Sequence, residues 1–148
     1  IQLAHPEDIQ ALARLLTQLF TQEEEFTPNL EQQETALRQI INNPALGQII
    51  VVRLENNIVG MVSLLYTIST ALGGKVCLLE YFIIDGAQRN QGIGQQLLEF
   101  AINFAAHHNC QRITLLTDAI NCDAQRLYSR MGFTASNMLP LRLSLGKA

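Results

Sequence analysis

This 148-residue chain holds a lone acid, Glu80, inside the apolar run 76–84 (VCLLEYFII). Flanked by Leu78, Leu79, Tyr81 and Phe82, its carboxyl is expected to lose solvent. That loss favours the neutral form and moves the pKa toward the range of a general base. The bland alternative is an acid on a solvated edge or in a structural hydrogen bond. A second chemical feature, Gly92-Ile93-Gly94, follows a polar loop and opens a strong helical segment. Strand, glycine-containing loop and helix start, in that order, build an anion site. The first-turn N–H groups have no helical acceptor, and the macrodipole adds about half a positive charge there. A phosphorylated ligand is therefore expected.

Three phosphate-binding patterns compete for the loop. The dinucleotide fingerprint G-x-G-x-x-G finds two of its glycines, with Leu97 in the third place. Residues 85–91 also separate the glycines from the strand they should follow at once, although Asp118 lies about where a ribose-binding acid belongs. The pattern G-x-x-x-x-G-K-[ST] fails because no lysine follows Gly94. The third, R/Q-x-x-G-x-G/A, is matched position for position by Arg89-Asn90-Gln91-Gly92-Ile93-Gly94.

Positioning these residues requires a particular set of elements. Residues 1–4 read as a short strand and His5-Pro6-Glu7-Asp8 as a helix start, with Ile9, Leu12, Leu16, Leu19 and Phe20 at helical spacing to about residue 20. Thr27-Pro28 reads as the cap and first position of a second helix, which carries Leu30, Ala36, Leu37, Ile40 and Ile41 and closes at Asn42-Asn43-Pro44. Residues 48–54 and 58–69 predict an antiparallel hairpin around Glu55-Asn56-Asn57, with Gly60 marking close packing. Strand 75–84 follows. Helix 92–108 carries the stripe Ile93, Leu97, Phe100, Ala101, Phe104 and Ala105. Strand 112–117 leads to helix 121–131, with Ala124, Leu127 and Tyr128 on one side and Gly132 as a left-handed cap. Two short strands, 133–138 and 141–145, complete the tail on either side of Pro140.

The order β-α-α-β-β-β-α-β-α-β-β, without repeat or linker, predicts one mixed α/β (α+β) domain over residues 1–148. Strands 75–84 and 112–117, joined by a helix, should run parallel with a right-handed crossover. Ligands in such sheets sit beyond the carboxyl ends of the strands, where the glycine loop and Asp118-Ala119-Ile120-Asn121 both fall.

Downstream of the hexapeptide, Asn121, Ala124, Tyr128 and Gly132-Phe133 fit N-x-x-A-x-x-x-Y-x-x-x-G-F. With both motifs in order, the chain resembles the GCN5-related N-acetyltransferases (GNAT family) over almost its whole length. The resemblance implies a GNAT-like acyl-CoA N-acyltransferase fold: a central mixed, mostly antiparallel sheet with one parallel, splayed strand pair, flanked by helices. It also implies acetyl-CoA as co-substrate. Backbone N–H groups of Gln91, Gly92, Ile93, Gly94 and Gln95 would hold the pyrophosphate, with Arg89 and Asn90 in the same loop. Phe82, Ile83 and Ile84 would take the pantetheine arm as an added strand. Asn121 would contact the cofactor through its amide while also capping its helix.

The implied reaction is direct attack on the thioester by a primary amine of a small molecule or peptide. Tyr128 aligns with the family's general acid, beside the cofactor sulfur; its other reading is a core tyrosine with a satisfied hydroxyl. An alkylamine of pKa ~10.4 is almost fully protonated at neutral pH, so a base must take its proton. Glu80 is the candidate base or amine anchor, with a water chain as the alternative, and the Phe82 N–H is the candidate oxyanion donor. The competing function is a non-catalytic acyl-CoA-binding or regulatory domain. A third is an interaction protein with an empty cleft.

Composition bounds the partners. A net charge of −3 and a pI near 5.5 argue against nucleic acid, which wants a basic face. No apolar run approaches the ~20 residues a membrane span needs, and no secretory signal is visible, so neither a membrane nor export is expected. Cys77, Cys110 and Cys122 form no metal-binding pattern, so no metal is expected; as buried or incidental thiols they point to a reducing, cytoplasmic location. His107-His108 falls at a helix end, where cations complement the dipole. Gln22-Glu23-Glu24-Glu25 is either a solvated run or an attraction for a cationic acceptor. The apolar tail 138–145 permits a homodimer.

Overall fold

The computed structural model describes residues 1–22, 28–89 and 91–146. Strands β2 (Gly47–Leu54) and β3 (Asn57–Ser69) form the expected antiparallel hairpin. Its two turn residues, Glu55 and Asn56, both sit in the left-handed region (φ 49° and 69°), the geometry whose twist matches the flanking strands. A Cβ on Gly60 would come within 2.9 Å of Ile84 Cδ1, the close approach anticipated there. Strand β4 (Gly74–Ile84) returns antiparallel to β3, and β5 (Ile113–Leu115) lies parallel to β4. With β1 (Gln2–Leu3) on the far side of β2, the sheet order is β1-β2-β3-β4-β5.

Helices cover both faces. Leu12 and Leu16 of α1 (Ile9–Gln22) and Leu37 of α2 (Leu30–Ile41) bury against Ile49, Val51, Met61 and Ile83. On the other face, Leu97, Leu98 and Ala101 of α3 (Ile93–His107) and Tyr128 of α4 (Cys122–Arg130) bury against Ile50, Val52, Val62 and Leu64. Ile49–Val52 is therefore apolar at consecutive positions: neighbouring side chains enter opposite layers. The 3-10 turn Pro6–Asp8 ahead of α1 is fastened to β2 by an ion pair. The Asp8 carboxylate accepts Arg53 Nη1 at 3.2 Å, Arg53 Nη2 at 2.9 Å and the His5 N–H at 2.8 Å. Burial alone would raise its pKa, but these partners outweigh burial and hold it below the ordinary value.

Three expectations need correction. Asn29 caps α2, with its side chain accepting the Gln32 N–H at 3.1 Å, and Pro28 precedes the cap instead of opening the helix. Thr27 and the acidic residues Glu23, Glu24 and Glu25 lie outside the described residues. Strand 112–117 pairs only over Ile113–Leu115. Residues 133–146 contain no strand. Leu139, Leu141, Leu143 and Leu145 alternate as a strand's would, yet they are 83–92% exposed. Alternation specifies a strand only where a neighbouring backbone accepts the ladder, and Pro140 also withdraws a donor.

Candidate active site

The parallel pairing of β4 and β5 stops at Leu79 opposite Leu115, while β4 runs on to Ile84. The expected splay is thus present, and β4 beyond Leu79 has no β5 partner in register. Here β4 also bulges against β3: Ser63 faces Glu80 and Met61 faces Ile83, so Tyr81 and Phe82 oppose the single residue Val62. Tyr81, within this insertion, takes the left-handed conformation (φ 56°). Leu79, Phe82 and Ile84 consequently pack in the α3/α4 layer, and Tyr81 and Ile83 in the α1/α2 layer.

A cavity of about 460 Å³ opens at this splay. Leu19 and Tyr81 line it from the α1 side, Asn121 and Tyr128 from α4, and Glu80 and Phe82 from β4 itself. Leu116 to Ala119, after β5, and Pro140 and Arg142 of the tail complete its wall. Glu80, Phe82, Asn121 and Tyr128, singled out from sequence, therefore converge on one space. Ile83, Ile84, Arg89, Gln91, Gly92, Ile93, Gly94 and Gln95 do not line it. Asn90 lies outside the described residues.

Burial raises the Glu80 pKa above the ordinary carboxylate value, and the Arg142 charge partly opposes that rise. Tyr128, 9% exposed, has its hydroxyl pushed up to about 12 by burial. Its ring meets Phe82 edge-on at 6.0 Å and Phe133 at 5.8 Å.

The second motif is a complete specification of α4. Asn121 Oδ1 accepts the Ala124 N–H at 3.2 Å, which makes Asn121 the N-cap. At the other end Gly132 adopts φ 100°, and the Phe133 N–H reaches back to the Tyr128 carbonyl at 3.0 Å. That is a Schellman closure with its apolar contact, since Phe133 and Tyr128 are also ring neighbours. Gln125 Nε2 donates to the carbonyls of Asp118 and Ala119, both at 3.0 Å, and so fixes the loop before the cap.

At the glycine loop, Gly92 is the N-cap of α3 with φ 77°, and a Cβ there would point into open space. The first ladder bond runs from the Gln96 N–H to the Gly92 carbonyl at 3.2 Å. The N–H groups up to Gln95 precede the helical ladder, so an anion fits this cradle. Gly94 differs: its Cβ position faces Phe82 Cζ (3.4 Å) and Leu127 Cδ2 (3.8 Å), inside the protein. A Cβ there would make ordinary contacts, so this position faces the packing of α3 on β4 and α4 without requiring glycine for space. Arg89 Nε donates to the Ile84 carbonyl at 3.3 Å, so this cation orders the loop against the end of β4.

Sequence reasoning missed Arg142, Pro140 and Leu19 as wall residues. The signal for Arg142 was a lone cation between Leu141 and Leu143, read there as part of a strand. Among the described residues no cluster of His, Cys, Asp and Glu could hold a metal ion, and no helix is long and apolar enough to cross a membrane.

Over 73 residues, 49% of this chain, it is 34% identical to the uncharacterised protein YdhI of Bacillus subtilis (strain 168). Over 79 residues, 53% of the chain, it is 33% identical to N-acetyltransferase 8 of Homo sapiens. These matches span 44% and 35% of the two relatives' own lengths. In three dimensions it resembles a predicted acetyltransferase from Clostridium acetobutylicum, solved with acetyl-CoA, at TM-score 0.80 and 18% identity, over 97% of this chain and 94% of that one. The model of the acetyltransferase (GNAT) family matches residues 9–133, most of the chain and both motifs. The chain belongs to the GNAT family.

Proposed function

We propose that the protein transfers the acetyl group of acetyl-CoA to a primary amine of a small molecule or peptide. The observation that carries this reading is the convergence of Glu80, Phe82 and Tyr128 on one cavity at the splay of the sheet. Acetyl-CoA supplies an activated acetyl thioester. The cradle at Gln91 to Gln95 binds its pyrophosphate, and the unpaired edge of β4 at Phe82, Ile83 and Ile84 receives the pantetheine arm.

Glu80 takes the proton of the attacking amine, or anchors it, at a pKa raised above that of an ordinary carboxylate. The Phe82 N–H donates to the carbonyl oxygen as that atom gains charge. A C–N bond forms as the C–S bond breaks, and the sulfur takes its proton from the Tyr128 hydroxyl. With burial pushing the Tyr128 hydroxyl up to about 12, it is a weaker acid than an ordinary thiol, so proton transfer to a fully formed thiolate runs uphill. Tyr128 therefore acts while the C–S bond is still breaking, and solvent restores its proton.

The test is release of free CoA thiol from acetyl-CoA across a panel of amines. Stabilisation by acetyl-CoA without turnover would instead identify a non-catalytic acyl-CoA-binding domain; a ligand at 100 times its Kd contributes about 2.7 kcal/mol. The free thiols Cys77, Cys110 and Cys122 favour a cytoplasmic site of action. The exposed leucines of the tail favour a homodimer.

A further inference from the structure

The two walls of the splay are held in different ways. On one side β4 stays in register with β3 as far as Ile84 opposite Gly60, so the wall that carries Glu80 and Phe82 belongs to the sheet. On the other side β5 ends its ladder at Leu115. Residues 116–120 belong to no strand or helix, yet Leu116 to Ala119 line the cavity. Burial does little to fix this second wall: Asp118 is half-buried, while Leu116, Thr117, Ala119 and Ile120 are exposed. Within the turn, Asp118 Oδ1 accepts the Ile120 N–H at 3.1 Å and the Asp118 carbonyl accepts the Asn121 N–H at 3.0 Å. Those bonds set the shape of the turn. Its place against α4 is set by Gln125, whose Nε2 donates to the Asp118 and Ala119 carbonyls, both at 3.0 Å. The Gln125 N–H also closes the first turn of α4 on the Asn121 carbonyl at 3.1 Å. One residue, itself outside the cavity lining, thus ties helix, cap and wall together.

Resting on the acetyltransfer reading, we propose that Gln125 is a positioning residue for acetyl-CoA: its amide holds the wall at Asp118 and Ala119 in place against α4, and so sets the width of the slot between that wall and the free edge of β4. The pantetheine arm enters this slot. The same hold keeps Asn121 at its cap, where Oδ1 is committed to the Ala124 N–H and the amide N–H pair is left for the cofactor. Releasing the clamp loosens the cofactor and leaves the proton transfers at Glu80 and Tyr128 to proceed once it is seated.

The test measures the Kd of acetyl-CoA by calorimetry, and KM and kcat by CoA release with the best amine found, on the intact protein and its variants. Gln125→Met keeps the length and removes both donors. Gln125→Lys supplies donors by a different chemistry. Gln125→Glu turns an acceptor toward two carbonyls until it is protonated. For Gln125→Met the expected result is a rise of roughly tenfold in Kd and KM for acetyl-CoA, with kcat and the KM for the amine within about twofold of wild type. Gln125→Lys should recover most of the affinity. Gln125→Glu should bind weakly near pH 8 and regain affinity relative to wild type toward pH 5, a dependence Gln125→Met lacks. Thermal melting checks that each variant folds; if Gln125→Met does not, the pH response of Gln125→Glu decides, and a flat response would overturn the proposal. Unchanged acetyl-CoA affinity in Gln125→Met, an equal loss in Gln125→Lys, or a fall in kcat as large as the rise in KM would also overturn it while leaving acetyl transfer intact. Absence of CoA release by the wild type with every amine would overturn acetyl transfer itself, and this role of Gln125 with it.

Discussion

The Phe133 N–H donates to the Tyr128 carbonyl at 3.0 Å, and the two rings meet edge-on at 5.8 Å. The helix end that carries the proposed acid is thus closed by the residue that also walls in its ring. Gly132 makes the closure possible at φ 100°, where an L side chain is strained. Gly132→Ala should lower stability by roughly 1–2 kcal/mol, from the cost of a left-handed Cβ. Phe133→Ala should lower kcat as well, by loosening Tyr128. Melting curves and steady-state kinetics on the two variants check this; a Phe133→Ala protein with unchanged kcat would sever the cap from catalysis.

Tyr128→Phe should reduce kcat by about 100-fold, within the range of general-acid effects. Its Kd for acetyl-CoA, measured by calorimetry, should stay close to that of the wild type. Since the wild-type hydroxyl ionises only near 12, Tyr128 should impose no fall in activity up to about pH 10. A basic limb at pH 8–9 that disappears in the variant would show a different ionisation in charge of Tyr128.

Glu80 titrates above its ordinary value, so the acidic limb of kcat/KM should lie above 4.5. Glu80→Gln should flatten that limb and lower kcat/KM. The same shift fixes a stability effect. The folded chain binds the Glu80 proton more tightly than the unfolded chain, so stability falls as pH rises from the unfolded to the folded pKa. Glu80→Gln, which mimics the neutral form, should therefore raise Tm at pH 7 and change it little at pH 4. Identical Tm differences at the two pH values would contradict a buried, ionising Glu80.

The two loop glycines should respond differently to alanine. Gly92→Ala forces a Cβ into the left-handed region, costing about 1 kcal/mol, and puts a methyl on the open side of the cradle. Its affinity for acetyl-CoA should drop. Gly94→Ala meets Phe82 and Leu127 at ordinary contact distance and lies within the helix, so that protein should fold normally. Binding isotherms and melts on both proteins separate the roles.

The exposed leucines of the tail should govern association. Leu141→Lys with Leu143→Lys should convert a dimer to a monomer in sedimentation equilibrium. A monomeric wild type at the concentrations assayed would exclude the homodimer.

Most of the scaffold was legible because each element has its own local signal: helical spacing along α1 and α3, the Glu55-Asn56 turn, and the glycine at the end of α4. The second motif was legible because Asn121, Gly132 and Phe133 act within a few residues of themselves. The tail misled for the opposite reason. Its alternating leucines state what a strand would bury but not which backbone would pair with it, and pairing is a property of the sheet. Arg142 escaped notice on the same ground. It joins Glu80 through folding, 62 positions along the chain, and no spacing rule connects them.

The bulge at Tyr81 makes the site depend on a count of residues as well as on their identities. Up to Leu79, odd-numbered side chains of β4 point toward α3; from Phe82 onward, even-numbered ones do. Deleting Tyr81 alone would keep Glu80, Phe82 and every other side chain named in the mechanism. Plain alternation with Tyr81 in place would instead turn Phe82 toward α1 and out of its 6.0 Å contact with Tyr128. Removing Tyr81 takes the extra residue away and leaves Phe82, then two places after Leu79, on the α3 side. A point substitution changes what stands at the splay; the one extra residue of the bulge decides which side of the sheet everything beyond it belongs to.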